Sequence, residues 1–402
     1  MSVQDLSTIR VAYKAQAELG TAVSGAGAVG LDVVPSQGIA MQVASIESAL
    51  IQKSRMRKRP RHGSKSVTAA YETELMVGSL DTAFEAVLGG TWTASQTLTE
   101  AELTSCAVSA SGATVTFAGG DIISEGVRVG MMAKLADMTT AGNNGKWFPI
   151  LGISANGRVI TTIAGILTDE AADSAFSLVI AKAIYTAATY EDRYFTLEEH
   201  WEQLDLSKLA TDCKFNQLSF SAQPDSPTRV SLGLGGRDLE LLASGDSPNF
   251  TDPTYTEGQS LVLLDGAIYV NGVARANVTG LTAGLAAPVS TLPVIGSRTS
   301  PDTFLGQFAF TGEFAAAVED GTDFAAFVDE TDISMFLHFA EAGTDNTTDF
   351  VSVYVGNLSY GGHSSPVGGE GALIQTLPLY GGEDERGTGY ASTTMLISTS
   401  AA

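Results

Sequence analysis

The stretch FNQLSFSAQPDSPTRVSLGLGG, residues 215–236, is the one on which the fold turns. Leu218, Phe220 and Ala222 recur at every second position, as do Val230, Leu232 and Leu234, and PDSP at 224–227 separates the two runs. Successive side chains of an extended chain point to opposite faces, so this spacing makes two strands, each with one apolar face, around a turn. Upstream, YEDRYFTLEEHWEQLD (190–205) alternates aromatic and polar residues and opens the same strand-rich region. Downstream, residues 255–402 continue as strands, among them SLVLLDGAIYVNG, FLGQFAFTGEF, DFVSVYVGNLSYGG and ALIQTLPLYGG, with FAAFVDETD (324–332) as a short helical turn.

Nearer the start, SVTAAYETEL (66–75) places Val67, Ala69, Tyr71 and Thr73 on one face, and MQVASIES (41–48) alternates in the same way. Between them lies a basic block of Lys53, Arg55, Arg57, Lys58, Arg59, Arg61 and Lys65, interrupted by Pro60. Two strands flanking a charged excursion predict an extended hairpin. SLDTAFEAVLGG (79–90) is the clearest helix, with Ser79 as its expected N-cap, Asp81 near its positive end and Gly89-Gly90 to stop it. Leu80, Phe84, Val87 and Leu88 share one stripe, which predicts a helix packed flat on a sheet. Residues 98–184 read as a self-contained all-β insert of short strands parted by turn signals such as AGNNG and SANG. Residues 1–40, with SGAGAVG at 24–30, read as irregular.

A chain of 402 residues calls for more than one folding unit, here one domain in two parts, residues 1–97 and 185–402 with an acidic β-rich C-terminal region, interrupted by the insert at 98–184. Charged residues make up only 17%, against roughly 25% in average chains, so the surface is either unusually neutral or partly covered by other subunits. The net charge of −23 disfavours general binding of nucleic acid, which needs cations to displace counterions from phosphate. Cys106 and Cys213 are expected to be free, buried thiols in a reducing compartment. MSVQDLSTIRVAYKAQ carries no apolar core and no run reaches the roughly 18 apolar residues of a membrane span, so the chain is expected to be made and first used in cytosol.

A search for chemistry returns little. His62, His200, His338 and His363 form no HxH or HExxH spacing and no CxxC is present, so no metal site is expected. LGLGG (232–236) lacks the Lys-Ser/Thr ending of a phosphate loop, and no GxSxG elbow occurs. DETD (329–332) and GGEDERG (381–387) lack the spaced ligands of a calcium loop. No enzyme activity and no cofactor are expected.

The order of arm, charged hairpin, helix ending in Gly-Gly-x-Trp, inserted β-domain and strand pair resembles the major tail tube proteins of siphophages and the related tubes of gene transfer agents. The likeness is carried by VAYKAQAELGT (11–21), SLDTAFEAVLGGTW (79–92), YFTLEEHWEQL (194–204) and residues 215–236, with VGMMAKL (129–135) and NNGKWFPI (143–150) in the insert. It implies a mainly β fold, a tail-tube β-sandwich or barrel with one packed α-helix, a long hairpin excursion and an inserted all-β domain on the tube exterior. It further implies six copies per ring, sheets joined into an inner barrel, and rings stacked into a tube through which DNA passes without specific binding. Implied partners are further copies of the chain, a tape measure protein, a tail terminator and distal tail proteins, with no membrane. The implied location is the virion tail, assembled in host cytoplasm. The alternatives are another structural β-protein, such as a capsid decoration or S-layer-like protein, and a β-rich hydrolase or carbohydrate-binding module. The last should cluster aromatics beside paired carboxylates, whereas the aromatics here are dispersed at strand spacing.

Charge is unevenly placed. Residues 301–402 hold 15 acidic side chains against the single base Arg386, while the block at 53–65 holds seven of the 22 Lys and Arg. Separated signs suit head-to-tail stacking, so Lys53, Arg55, Arg57, Lys58, Arg59, Arg61 and Lys65 are candidate contacts to a neighbouring subunit or ring, with a solvated loop and a nucleic-acid patch as the other readings. A bore that carries DNA should avoid cations, and Glu72 and Glu74 are candidates to face it, an exposed outer face being the alternative.

Overall fold

Leu206–Ala222 runs for 17 residues and is the trunk of the architecture. The computed structural model describes residues 4–186, 189–341, 347–366, 368 and 370–401, so Asp345 of the acidic count lies outside the described residues. The second half of the trunk pairs antiparallel with Arg229–Gly236 on one edge and with Val278–Ala286 on the other. Its first half pairs with Tyr194–Trp201 and Asp238–Leu242. A register shift between Phe215 and Gln217 separates the halves, and a bulge of this kind bends a strand and re-aims it.

From the trunk the sheet extends through Arg61–Glu74 to Val34–Ile46 on one side, and through Ala309–Ala317 to Ile374–Gly382 on the other. It continues from Ile374–Gly382 into Phe350–Tyr360, Ile333–Ala340 and Val262–Val270. Leu396–Thr399 pairs with Phe350–Tyr360, and Lys182–Tyr185 pairs in turn with Leu396–Thr399. The fold is mainly β, as the sequence predicts. Phe220 of the trunk stacks on Phe339 at 6.2 Å between ring centroids, so the trunk and Ile333–Ala340 face one another across a shared core. Leu218, Phe220, Ala222, Val230, Leu232 and Leu234 are all buried in it, together with Val67, Ala69 and Tyr71.

The helix spans Asp81–Leu88 and packs against the trunk, with Leu80, Phe84, Val87 and Leu88 buried and the Phe84 ring 5.9 Å from that of Phe220. Ser79 is not its N-cap. Leu80 holds that position without a side-chain bond, and the Ser79 hydroxyl donates back to the Met76 carbonyl (2.9 Å) within the preceding turn. Gly89 closes the helix at φ 60°, and a Cβ there would stand 2.2 Å from the Tyr190 ring, so both conformation and space require glycine. Lys182 pairs with Asp81 (2.7 Å) and lies over the Trp92 ring, tying the helix to the strand that follows the insert.

The reading of the N-terminal arm is corrected. Residues 1–40 are not irregular throughout, because Ile9–Gln16 is a strand held by Tyr194–Trp201 on one edge and Val29–Leu31 on the other. VAYKAQ carries no clean period-2 signal since Val11, Ala12 and Tyr13 are all buried, and pairing on both edges overrides local propensity. Val278–Ala286, rich in Gly, Ala and Thr, also escapes a propensity reading, yet it lies between the trunk and Ala309–Ala317.

Strands from Gln96–Thr99 to Ser177–Ile180 form two small sheets of five and four strands, separate from the main one. Their apolar cluster is continuous with Phe336, Ala340, Phe350, Tyr354 and Leu396 of the main sheet. The insert therefore shares its core with the body that carries it. Cys106 lies in this cluster and Cys213 in the main one, both free and buried, with burial pushing both thiols up to about 12.

Against the insert, His338 is buried with Nδ1 unpartnered and its ring 5.4 Å from that of Phe350. Burial depresses its pKa from 6.5 to about 4. Between those values the unfolded chain binds a proton that the folded chain refuses, so stability rises with pH through this window and is lost as pH falls. His338→Gln should lose less stability than the native chain between pH 6.5 and 4, measured as the shift in denaturant midpoint. Equal losses would exclude the histidine as the cause.

Candidate assembly surfaces

The basic block sits on the hairpin formed by Val34–Ile46 and Arg61–Glu74, paired from Val34↔Glu72 to Ile46↔Arg61. Lys53, Arg55, Arg57, Lys58, Arg59 and Arg61 are exposed, whereas Lys65 is half-buried and pairs with Asp238 (3.0 Å). Arg57 reaches Glu47 at 3.5 Å with both side chains largely in solvent, a pair worth little. The same excursion exposes Leu50 (70%), Ile51 (101%) and Met56 (73%). Cations interleaved with uncovered apolar side chains are poorly suited to a purely solvated loop.

Val34–Ile46 is itself an edge strand of 13 residues. Among the described residues its outer edge pairs with no other strand, although the Ile39 N–H donates to Glu199 Oε2 (3.0 Å) and the Ile39 carbonyl accepts from Lys208 Nζ (3.3 Å).

Acidic residues gather elsewhere. Glu319, Asp320, Asp329, Glu330 and Asp332 flank the helix Thr322–Val328 and are exposed, and so are Phe324 and Val328 on the helix. The helix is anchored from beneath, where buried Asp323 accepts from Arg275, from Tyr360 Oη (3.2 Å) and from Gln375 Nε2 (2.6 Å).

The main sheet has two unlike faces. Glu74, Arg229, Ser221, Thr282 and Glu313 stand in register on five adjacent strands, and Glu72, Ser231, Ser219, Gly284 and Thr311 form the next row. One register position away, Tyr71, Leu232, Leu218, Leu285 and Phe310 are all buried in the core. The exposed face is thus built of carboxylates, hydroxyls and glycine. Its one cation, Arg229, pairs with Glu72 (3.4 Å), and Glu74 accepts from the Ser260 hydroxyl. Register brings Glu72 and Glu74 onto this single polar face.

A family model described as phage tail tube protein matches residues 7–381. The chain belongs to the phage tail tube protein family. No curated protein sequence matches it. Membership makes the chain a structural protein of the phage tail, located in the virion, and implies assembly of its copies into a tube. A non-enzymatic role follows from the same membership, and among the described residues no group of three or more His, Cys, Asp or Glu could hold a metal ion. Among the described residues, no helix is long and apolar enough to cross a membrane.

Two features of this tube protein were missed in the sequence. Leu50, Ile51 and Met56 are legible there, but the density of charge drew the reading toward electrostatics alone. The polar face needed the register of five strands, which no local pattern supplies.

Limited trypsin digestion of the unassembled protein should cut first at Lys53, Arg55, Arg57 or Lys58, since these side chains lie exposed between the hairpin strands. The two fragments should remain associated through the flanking ladder, as read by mass spectrometry and gel filtration. First cuts elsewhere would show that the loop is covered within the subunit.

Proposed function

We propose that six copies join edge to edge into a ring, and that rings stack into the hollow conduit through which a siphovirus-type phage ejects its DNA. The observation that carries this reading is the two-faced sheet: one side fills the core, and the other offers hydroxyls and carboxylates with its only cation neutralised. Turned inward, such a face is a bore wall that repels phosphate and offers no contact at which a duplex would stall. Glu72, Glu74 and Glu313 are the carboxylates of this wall. The unpaired edge of Val34–Ile46 supplies the lateral joint, since ring closure leaves no strand edge free.

Stacking joins unlike surfaces. The excursion bearing Lys53, Arg55, Arg57, Lys58, Arg59 and Arg61 together with Leu50, Ile51 and Met56 complements the acidic, apolar surface around Thr322–Val328 of a neighbouring copy. Opposite charge steers the approach and sets register, while the apolar side chains supply the buried area. Residues 98–184 decorate the exterior. A tape measure protein in the bore, a terminator at one end and distal tail proteins at the other complete the tail.

The test is replacement of Arg55, Arg57, Arg59 and Arg61 by Ser, followed by sedimentation velocity and negative-stain microscopy. Native protein should form stacked rings with a central hole, and the variant should stay folded but sediment as subunits or single rings. Variant tubes of native length would overturn the stacking contact, and native lattices without a central hole would overturn the conduit.

A further inference from the structure

Between the insert and the main sheet runs an open cleft of about 370 Å³. Its size falls at the low end of small-molecule sites, roughly 300–1,000 Å³. Thr161 and Thr162 come from the insert, and Tyr269, Asn271, Ser334 and Phe336 from the body. Although the chain carries a net charge of −23, no residue lining this cleft is charged.

Its floor is aromatic. The rings of Tyr269 and Phe336 lie 6.4 Å apart, and Phe336 continues the row to Tyr354 at 6.3 Å. Phe336 and Tyr354 are buried, while Tyr269 is half-buried and presents part of its ring at the opening. Polar groups ring this floor. Asn271 is exposed and fixed through Oδ1, which accepts from the Ser334 N–H at 2.7 Å, and among the described residues its side-chain NH2 has no partner. Thr162 is buried, and its Oγ1 has no hydrogen-bond partner. A buried, unpaired hydroxyl at the wall of a cleft carries an energetic cost that a new hydrogen bond would remove.

We infer that this cleft binds a neutral saccharide of one to two rings. A sugar ring has an apolar C–H face that packs on an aromatic ring and an equatorial rim of hydroxyls that pair with amides and hydroxyls. A charged ligand would give up its hydration without meeting an opposite charge in the cleft. Tyr269 supplies the stacking surface, Asn271 donates from its amide, and Thr162 completes the polar rim. The inference goes beyond tube formation and does not depend on it, since every residue involved belongs to one subunit.

Saturation-transfer NMR on the full chain, both unassembled and as tubes, would use lactose, maltose and N,N′-diacetylchitobiose as probes, with glucuronic acid and glucose 6-phosphate as charged controls. At least one neutral sugar should receive transfer in both states, and the charged controls should not. Tyr269→Ala and Asn271→Ala should each weaken binding about tenfold, whereas Tyr269→Phe, which keeps the ring, should retain most of it. Thr162→Val separates binding from structure, because it should weaken binding while leaving thermal stability equal or higher. Transfer to no neutral sugar, unchanged binding by Tyr269→Ala, or binding lost on assembly into tubes would each overturn the assignment.

Discussion

Everything in the architecture depends on one strand being satisfied along both edges. Leu206–Ala222 donates and accepts against Tyr194–Trp201 and Asp238–Leu242 in its first half, then against Arg229–Gly236 and Val278–Ala286 in its second. Side chains alternate with a period of two, so a slip of one residue in this ladder would send Leu218 and Phe220 to solvent and Ser219 and Ser221 into the core. The register shift at Phe215–Gln217 sits where the strand passes from one set of partners to the other. The polar face, the core and the packing of the helix follow from that single alignment.

Loops are tied to this framework by buried ions. Glu198 accepts from the Asn249 and Phe250 amides (2.7 and 2.8 Å), and Asp212 accepts from the Gly20 amide (2.7 Å) and pairs with Arg237 (3.1 Å). Buried Lys214 meets Asp192 (3.2 Å) and lies over the Tyr194 ring. Arg386, the one base beyond residue 301, is held by Asp384 and Tyr354, so it is not free to offset the exposed carboxylates. A buried charge deprived of its partner is strongly destabilising, so such ties define loop positions sharply even where they add little net stability. Among the described residues, Lys53, Arg55, Lys58, Arg59 and Arg61 of the hairpin excursion take part in no such ion pair, and Arg57 only in an exposed one.

The fold was legible where alternation coincided with burial on one face. Residues 215–236, the Tyr71 strand and the Phe84 helix all read correctly because each has one apolar side and one polar side. Reading failed at Ile9–Gln16, where three consecutive residues are buried, while Val278–Ala286 fell within a region read as strands without being singled out, because its small residues leave no hydrophobic signature. Ser79 was misread as a cap because its hydroxyl has a nearer acceptor in the Met76 turn. The seven cations of the excursion were legible as a unit, yet Lys65 belongs to the subunit's own pairing with Asp238, a partner 173 positions away. The aromatic row from Tyr269 to Tyr354 was beyond local reading altogether, since its members lie on three strands.

The bare flank of Val34–Ile46 makes the isolated subunit an incomplete fold. Along that flank the Ile39 backbone meets Glu199 and Lys208, and no strand among the described residues covers the rest. Six cations just beyond it repel the same cations on an approaching copy, and that repulsion weakens as salt rises. If that edge is the joint between copies, as proposed, polymerisation is limited by initiation: a supersaturated pool would persist until a preformed end presents the complementary surface, after which each added copy creates the site for the next.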